Sequence, residues 1–312
     1  MVIPTYKRPA FLKRAVNSVK KQIFSDWELI ISDDEDPPGE TWDYLQELSS
    51  AGSRVTVIRN PGPHGQAGNM NNLLNAARGT WIKPLYDDDV LKSDCLLRLY
   101  KAVEKQKSVA LIRCLSNQYR ENTLSKKAKK GRRATLELIP QILVHLAMYL
   151  HDVDIGIPTQ VMVNRSCIDK AALFEDLPQL VTVHDVWWYC KVLQHGDLLL
   201  LNDSLVDQHQ GKCESITSNV EEKTLDREFE YLRELIFGLI DPKLFPPPLA
   251  PTKKMVRLIR ALHRLTNLET ADGLRLLLTS LHYKAIFLTA RWTLSKSFPG
   301  RFSIVPRRII AK

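Results

Sequence analysis

The first 115 residues alternate short apolar segments with amphipathic ones, and this alternation restricts the fold more than any other feature of the chain. The predicted strands are Met1–Pro4, Trp27–Ser32, Val55–Ile58, Trp81–Leu85 and Val109–Arg113. The predicted helices begin at Pro9, at Thr41, at Gly68 and after Ser93. Repeated strand–helix alternation predicts a mostly parallel sheet with helices on both faces.

Polar segments follow three of these strands, at the carboxyl edge where such sheets bind ligands. They are Thr5–Arg8, Asp33–Asp36 and Asp87–Asp89. Three adjacent carboxylates repel one another and need compensation. Mg²⁺ or Mn²⁺ supplies it by binding one or two carboxylates together with substrate phosphates. The alternative for Asp87–Asp89 is an acidic turn before the next helix. Asp33–Asp36 either accepts hydrogen bonds from a base or ribose, or forms a solvated loop.

A glycine- and asparagine-rich segment, Gly65–Asn72, leads into the third predicted helix. Glycine allows a close approach of the backbone to a ligand, and a helix N-terminus favours phosphate. Many surface loops share this composition, so the segment indicates phosphate binding only in combination with the acidic segments.

Residues 116–219 are less regular. We predict an apolar helix over Leu136–Leu150, a strand near Gln160–Val163 and a helix over Val183–Gln194. A strand pair is predicted at Leu198–Leu201 and Ser204–His209. The basic run Lys126–Arg133 is either a solvated loop or a lid over bound phosphates.

The net charge of +9 is concentrated in the C-terminal residues. Thirteen Lys or Arg and two Asp or Glu lie between residues 251 and 312, a net charge of about +11 for this stretch. Its basic helices could lie on an anionic membrane surface or pack on the main domain with the basic face in water. No nucleic-acid motif accompanies the charge, so no nucleic-acid partner is expected.

The compartment expected for this chain is the cytoplasm, with peripheral contact at the inner membrane face if the basic helices bind lipid. No signal peptide is recognisable. The longest apolar run, Ile142–Leu150, is too short to span a bilayer. Five dispersed cysteines argue against a disulfide framework and against a zinc site. They are Cys95, Cys114, Cys167, Cys190 and Cys213.

Three stretches in this order resemble family 2 glycosyltransferases: VIPTYKRPAFLKRAVNSVKKQ, WELIISDDEDP and RNPGPHGQAGNMNNLLNAARGTWIKPLYDDD. They cover residues 1–95 almost continuously, and HDVWWYCKVLQHG and VDQHQG match more loosely. The resemblance implies a GT-A-type α/β fold, a mostly parallel sheet flanked by helices, with an α-helical C-terminal extension. Residues 1–115 would bind the donor, 116–219 the acceptor and catalytic base, and 220–312 would form the extension.

The resemblance also implies roles for the loop after the first strand. Pro4, Thr5 and Tyr6 resemble the segment that holds the nucleobase by backbone contact and aromatic packing. Asp33 resembles the carboxylate that accepts from a uracil ring, and Asp34 supports it. UDP is therefore the favoured nucleotide.

The acidic triplet corresponds to the family's Asp-x-Asp region. Asp87 is assigned to the ribose side and Asp88 to Mg²⁺ or Mn²⁺, with Asp89 as a third candidate. Arg8 is close enough to meet phosphate or base. The donor-binding set implied by the resemblance is Pro4, Thr5, Tyr6, Arg8, Asp33, Asp34, Gly65, Asn71, Asp87 and His209.

The resemblance places the catalytic base at Asp185, where many family members have a Glu-Asp pair opening a helix. A base there would take the proton from the acceptor hydroxyl. The alternative is an acid that only interacts with the helix dipole. His184, Trp187 and Trp188 are the acceptor-binding candidates, although core packing is the commoner fate of a tryptophan.

The function implied is an inverting transfer of one sugar from a nucleotide-sugar to a hydroxyl of a glycan, lipid-linked or protein acceptor. Three departures from the family pattern stand against it: Tyr86 replaces the first Asp of Asp-x-Asp, Met70 replaces an Arg, and His184 replaces the Glu. A non-catalytic nucleotide-sugar-binding relic of the fold is therefore one alternative. A sugar nucleotidyltransferase is another, but Thr5–Pro9 lacks the glycines that such an enzyme would show after its first strand.

Overall fold

The computed structural model describes residues 1–50, 54–120, 123–127, 136–150, 153–209 and 220–243, together with 258 and 308–310. The chain divides into two compact units. The first unit contains residues 1–141, 155–234 and 309–312, and the second contains 142–154 and 235–308. The first unit thus includes the predicted half 1–115 and all of 116–219 except residues 142–154, and it continues past residue 220.

Strands and helices alternate through the first unit, which confirms the predicted α/β class. The strands are β1 Val2–Thr5, β2 Leu29–Asp33, β3 Val55–Arg59, β4 Trp81–Ile82, β5 Val90–Leu91, β6 Val109–Arg120, β7 Thr123–Lys126, β8 Leu136–Ile139, β9 Val161–Asn164, β10 Asp197–His209 and β11 Arg308–Ile310. The helices are α1 Pro9–Lys20, α2 Glu40–Ser50, α3 Gln66–Ala76, α4 Cys95–Val103, α5 Gln141–Tyr149, α6 Arg165–Ala171, α7 His184–Val192 and α8 Glu222–Gly238. Two short 3₁₀ turns cover Pro158–Gln160 and Leu193–His195.

The N-terminal strands form a parallel sheet in the order β1-β2-β3. In its register Thr5 lies beside Asp33, and Asp33 lies beside Arg59. A parallel bridge between Val2 and Pro84 adds the segment that leads from β4 into the acidic triplet. The carboxyl ends of all four segments therefore lie at one edge, as the alternation predicts.

A second, mixed sheet has the strand order β11-β8-β10-β6-β9-β4, with β5 paired to β10 and β7 to β6. β10 runs parallel to β6 and antiparallel to β8. The predicted strand pair Leu198–Leu201 and Ser204–His209 is one strand, β10, with register shifts between Leu200 and Val206. Those irregularities explain why the pattern resembles two strands.

The predicted helix over Leu136–Leu150 is wrong in its first turn. Leu136–Ile139 is strand β8, which pairs with Leu198–Leu201 of β10, and the helix starts after Pro140. Proline has no N–H for a helix interior but suits a helix start, so it separates the two elements. A continuous apolar run does not by itself reveal this change from strand to helix.

The core of the first unit lies between its sheets and helices α1, α2 and α4. Its fully buried members include Ile3, Leu12, Val16, Leu29, Ile31, Leu45, Leu99 and Leu199. Leu12, Val16 and Val19 form the buried face of α1, which begins at Pro9 as predicted. This packing fixes α1 against the sheet that carries the carboxyl-edge residues.

Among the described residues, the second unit contains most of α5 and the end of α8. Within it the rings of Tyr149 and Phe237 lie 5.3 Å apart, and Val144, Ala147, Ile236 and Ile240 are buried. None of the described helices is both long and apolar enough to cross a bilayer.

Several sequence expectations fall outside the described residues. Residues 128–133 of the basic run do so, as do Cys213 and nearly all of the basic tail, 244–257, 259–307 and 311–312. The four cysteines within the described part of the chain are buried and form no disulfide bond there.

Candidate functional site at the carboxyl edge of the sheet

The acidic triplet is bound directly to the loop after β1. The Thr5 hydroxyl donates to Asp87 Oδ2 at 2.8 Å. Arg8 Nη1 lies 3.3 Å from Asp88 Oδ2 and 3.5 Å from Asp87 Oδ1. Burial raises the pKa of Asp87 to about 6, and the charge of Asp88 adds to the increase. Two adjacent acids and an arginine therefore form one charged cluster at the carboxyl edge of the sheet.

This cluster suits a divalent cation that is bound together with a phosphate. Among the described residues no three Asp, Glu, His or Cys side chains converge as a complete metal site. Mg²⁺ characteristically uses only one or two carboxylates and completes its shell with water and substrate phosphates. Asp87 and Asp88 supply two carboxylates, and burial disfavours the charged form of Asp87 even with Thr5 and Arg8 beside it, a cost that a cation would relieve. These residues fit the metal predicted from the sequence, which stays a prediction.

Asp89 differs from its two neighbours because its carboxylate is used inside the protein. It accepts the backbone N–H of His209 at 3.1 Å and the hydroxyl of Thr159. Only 2% of Asp89 is exposed, and burial raises its pKa to about 7. A carboxylate surrounded by protein donors is a poor third ligand for the cation, so the structure argues against that part of the sequence prediction.

Asp33 and Asp34 have different partners, which separates their roles. Asp34 accepts from Asn60 Nδ2 at 2.6 Å, from the N–H of Gly65 at 2.7 Å and from His64 Nδ1 at 3.0 Å. It therefore fastens the glycine-rich segment to the edge of the sheet. Among the described residues, the side chain of Asp33 accepts only from the N–H of Glu35, through Oδ1, and its Oδ2 has no partner.

Asp33 Oδ2 is buried and has no partner among the described residues, so Asp33 is the one of the two acids whose side chain keeps acceptor capacity for an N–H of a ligand. Burial raises the pKa of Asp33, and the charges of Glu35 and Asp34 add to the increase, which the charge of Arg59 offsets only in part. Tyr6, at the end of the neighbouring loop, is 52% exposed, with Lys7 Nζ 5.0 Å from the ring centroid. An exposed ring beside an unsatisfied acceptor is suited to stacking and pairing with a heterocyclic base.

Gly65 adopts a φ of +100° at the start of α3, a conformation that favours glycine. Asn71 lies further along this helix, and both polar atoms of its amide bind the backbone of Phe174, at 2.8 and 2.9 Å. In this structure Asn71 therefore holds the loop before α7 in place. Both polar atoms of its amide are used there and not for a nucleotide-sugar. Met70, at the position of the family's arginine, is buried in the core.

Asp185 lies in the first turn of α7 and is 8% exposed. Burial raises its pKa to about 7, and its Oδ1 accepts the N–H of Val186 at 2.8 Å. The charge of Asp185 helps to raise the pKa of the Tyr86 phenol, so the acid lies near the start of the acidic turn. A carboxyl group that changes charge near neutral pH can act as a general base.

The hydroxyl of Tyr86 accepts a hydrogen bond from Gln66 Nε2. Tyr86 therefore occupies the position of the family's first Asp without supplying a charge. Asp87 and Asp88 carry the negative charge that faces Arg8.

The acceptor-binding candidates on α7 divide into core and surface. Trp188 is 1% exposed, stacks on Phe174 at 4.5 Å and donates its indole N–H to the carbonyl of Ala172. No acceptor can reach it, so its assignment to the acceptor site is corrected to a core role. Trp187 is half-buried and donates to Glu175 Oε2 at 3.1 Å.

His184 is largely buried, with its Nδ1 3.1 Å from the carbonyl oxygen of Val181. Its Nε2 is buried without a hydrogen-bond partner among the described residues. Burial lowers the pKa of His184, so the ring is neutral at physiological pH. A neutral ring with this contact supports the turn that presents Asp185.

His209 is the last residue of β10. Its backbone N–H binds Asp89, and its ring lies 5.1 Å from that of Phe11. With Arg14 and Tyr119 it lines an open cavity of about 270 Å³. The structure thus places His209 beside Asp89 of the acidic triplet, and its role in donor binding stays a prediction.

Four residues that contact the site were given no individual role from the sequence: Asn60, Gln66, Thr159 and Lys83, whose ammonium group donates to the carbonyl of Thr159. Asn60 directly follows β3, so the expectation that ligand-binding residues follow the carboxyl ends of strands applies to it as well. Lys83 was detectable as a charge inside the apolar stretch WIKPL. No local signal distinguishes Thr159, which reaches the site only through the tertiary fold.

Comparison with known proteins agrees with this geometry. Residues 1–170 match the sequence model of the family described as Glycosyl transferase family 2. A Campylobacter jejuni GalNAc(5)-diNAcBac-PP-undecaprenol beta-1,3-glucosyltransferase is 32% identical over 127 residues, 40% of each chain. An Escherichia coli UDP-Glc:alpha-D-GlcNAc-diphosphoundecaprenol beta-1,3-glucosyltransferase is 31% identical over 90 residues, 29% of this chain and 34% of that protein. The similar stretch thus spans less than half the length of either relative.

Solved structures extend the similarity of fold. S. aureus TarS 1-349 in complex with UDP-GlcNAc matches with a TM-score of 0.57 at 14% identity, over 95% of this chain and 90% of that one. The same TarS fragment in complex with UDP matches with a TM-score of 0.55. At this identity the likeness shows the fold alone, and it supports the GT-A-type architecture that the sequence predicts.

Proposed function

The chain belongs to glycosyl transferase family 2, and on that premise we propose that it transfers one sugar from a nucleotide-sugar to an acceptor hydroxyl. The observation that carries the proposal is the hydrogen bond from Thr5 to Asp87, with Arg8 beside both Asp87 and Asp88. It joins the loop suited to a base with the acids suited to a metal-bound diphosphate. The unsatisfied Asp33 Oδ2 lies on the same edge of the sheet.

UDP is the nucleotide that we propose for the donor. Asp33 offers an acceptor to a ring N–H, and the E. coli relative carries UDP-Glc in its name. Both curated glucosyltransferases named above act on undecaprenol-linked diphosphates, according to their names. A lipid-linked glycan is therefore the acceptor class that we propose first.

The reaction proposed is a single displacement that inverts the anomeric carbon. Asp185 removes the proton from the acceptor hydroxyl as that oxygen attacks the anomeric carbon and the bond to the departing diphosphate breaks. Arg8 offsets the charge that develops on the leaving diphosphate. Asp87 and Asp88 would hold Mg²⁺ or Mn²⁺, which supplies further charge neutralisation on the same oxygens when it is bound.

The proposed function is tested by incubating the chain with a panel of nucleotide-sugars and undecaprenol-linked acceptors. We expect acceptor-dependent release of nucleoside diphosphate, greatest with a UDP-sugar. Binding of UDP without release or transfer from any donor would instead favour the non-catalytic relic of the fold. Pyrophosphate-dependent formation of UTP would indicate a sugar nucleotidyltransferase and contradict the proposal.

Cation binding should depend on the nucleotide, because the described residues supply only two suitable carboxylates. We expect Mn²⁺ to raise the affinity for UDP by at least about 10-fold in the wild type, the equivalent of about 1.4 kcal/mol. Isothermal titration of UDP with and without Mn²⁺ measures this difference. Asp88→Asn should abolish the Mn²⁺ effect, whereas Asp26→Asn, at an exposed position before β2, should retain it. Retention of the effect in Asp88→Asn would refute the assignment of the metal ligand.

A further inference from the structure

One buried hydroxyl, that of Thr159, binds both ends of the acidic turn Tyr86–Asp89. Its Oγ1 accepts the backbone N–H of Tyr86 at 3.1 Å and donates to the carboxylate of Asp89. A threonine hydroxyl has one proton and two lone pairs, so it can make both bonds at once. Thr159 has no exposed surface, and water therefore cannot replace either bond.

The backbone of Thr159 is held in turn by Lys83. The ammonium group of Lys83 donates to the carbonyl of Thr159 and, at 2.8 Å, to that of Pro84. Only 1% of Lys83 is exposed. A buried ammonium group is stable only when its protons are bonded, so these carbonyls fix its position. The strand segment before the acidic turn and the 3₁₀ turn Pro158–Gln160 are thereby tied together.

The bonding pattern divides the three acids into two sets. Asp89 faces Thr159 and the N–H of His209 and is enclosed by protein. Asp87 and Asp88 face Thr5 and Arg8 at the carboxyl edge of the sheet. Adjacent residues in a tight turn point in different directions, so an Asp89 held inward restricts the directions open to the two preceding acids. The N–H of Asp89 also bonds the carbonyl of Tyr86 at 3.1 Å, which closes the turn.

We propose that Thr159 is a positioning residue that holds Asp87 and Asp88 in the orientation required to bind the nucleoside diphosphate with its cation, and that Asp89 is its internal anchor. Thr159 reaches the turn from a segment 70 residues further along the chain than Asp89. The diphosphate site is therefore completed by the second half of the domain. This inference rests on the proposed function for the identity of the ligand, but the bonding of the turn can be tested without any ligand.

The test compares Thr159→Val, which removes the hydroxyl and keeps the shape, with Thr159→Ser, which keeps the hydroxyl. Thr41→Val is the matched control, because Thr41 is also buried and its hydroxyl has no partner among the described residues. Amide hydrogen exchange at Tyr86 is measured first, in the absence of ligand. Titration of UDP in the presence of Mn²⁺ is measured second. Thr159→Ala replaces the valine variant if the latter does not fold, since it removes the same hydroxyl without adding bulk.

We expect faster exchange at the Tyr86 amide and about a 10-fold loss of UDP affinity in Thr159→Val, the order of effect of one lost hydrogen bond. Thr159→Ser and Thr41→Val should match the wild type in both measurements. Unchanged exchange at the Tyr86 amide in Thr159→Val would show that the Thr159 hydroxyl does not hold the acidic turn. Faster exchange with unchanged UDP affinity, or failure of serine to restore affinity, would overturn the positioning role. Absence of UDP binding in the wild type would instead count against the proposed function.

Discussion

Asp185→Asn is expected to lower the rate of sugar transfer by about 10²–10⁴-fold, the usual contribution of a positioned general base. The affinity for UDP should stay nearly unchanged, because Asp185 lies on α7 and makes no contact with the Thr5–Asp87 cluster among the hydrogen bonds and ion pairs of the described residues. Initial rates with saturating donor, together with titration of UDP, separate the two effects. Equal transfer rates in wild type and variant would remove Asp185 from the mechanism.

The wild-type rate should rise with pH through about 7. Burial raises the pKa of Asp185 to about 7, and only the ionised carboxylate can accept the proton of the acceptor hydroxyl. A profile of kcat/KM against pH between 5 and 9 measures the apparent pKa. The residual activity of Asp185→Asn should lack this rise. A wild-type profile that is flat across this range would contradict the role of Asp185 as the base.

The same substitution is expected to stabilise the fold at pH 8. The pKa of Asp185 is higher in the folded chain than its ordinary value of 3.8. The folded state therefore holds a proton that the unfolded state releases, and stability falls as pH rises from about 4 to about 7. Asparagine carries no charge and can still accept the N–H of Val186, so the free energy of unfolding should increase by roughly 1–4 kcal/mol at pH 8.

Urea unfolding at pH 4 and pH 8 measures this gain, which should be small at the lower pH. Increased stability with lost transfer would show that the inactive variant is folded. Decreased stability at pH 8 would mean that the carboxylate has a compensating partner, and the raised pKa would then not describe the folded protein.

Strand ends were predictable because a parallel sheet places them at a common edge whatever the details of packing. Thr5, Asp33 and Asp87 follow apolar segments of strand length, and the observed register lines them up. The same reasoning cannot assign partners within the edge. Asp33 and Asp34 are adjacent, yet the Asp33 side chain accepts one hydrogen bond and the Asp34 side chain accepts three among the described residues. The difference arises because the loop carrying Gly65 folds back onto the side chain of Asp34 alone.

Tertiary contacts account for the parts of the site that the sequence did not reveal. Asn71 has the composition and place of a phosphate-loop residue, but a segment 103 residues away uses both of its amide atoms. Thr159 likewise meets Tyr86 across 73 residues. No periodicity or local motif records such distant contacts, so these roles required the fold. The register shifts of β10 and the proline before α5 were missed for a more local reason, since apolar runs look alike in strands and helices.

Trp188→Ala is expected to destabilise the first unit by about 3–5 kcal/mol, the range for removing a large aromatic side chain from a core. The indole is 1% exposed, stacks on Phe174 and satisfies the carbonyl of Ala172. Its loss leaves a cavity and removes the hydrogen bond to the Ala172 carbonyl. The stacked Phe174 is also the residue that Asn71 holds, so the damage should extend to the loop that precedes α7, the helix that carries the proposed base Asp185.

Trp187→Ala provides the matched comparison, one residue away on the same helix. Trp187 is half-buried, and its N–H bond to Glu175 is exposed, so the stability cost should be at most about 1 kcal/mol. Residues adjacent in a helix point about 100° apart, and only Trp187 can present a ring to an acceptor sugar. We expect Trp187→Ala to raise KM for the acceptor while leaving UDP affinity unchanged. Urea unfolding and acceptor kinetics on both variants distinguish the roles: equal stability losses, or an acceptor effect confined to Trp188→Ala, would contradict the assignment of the core position.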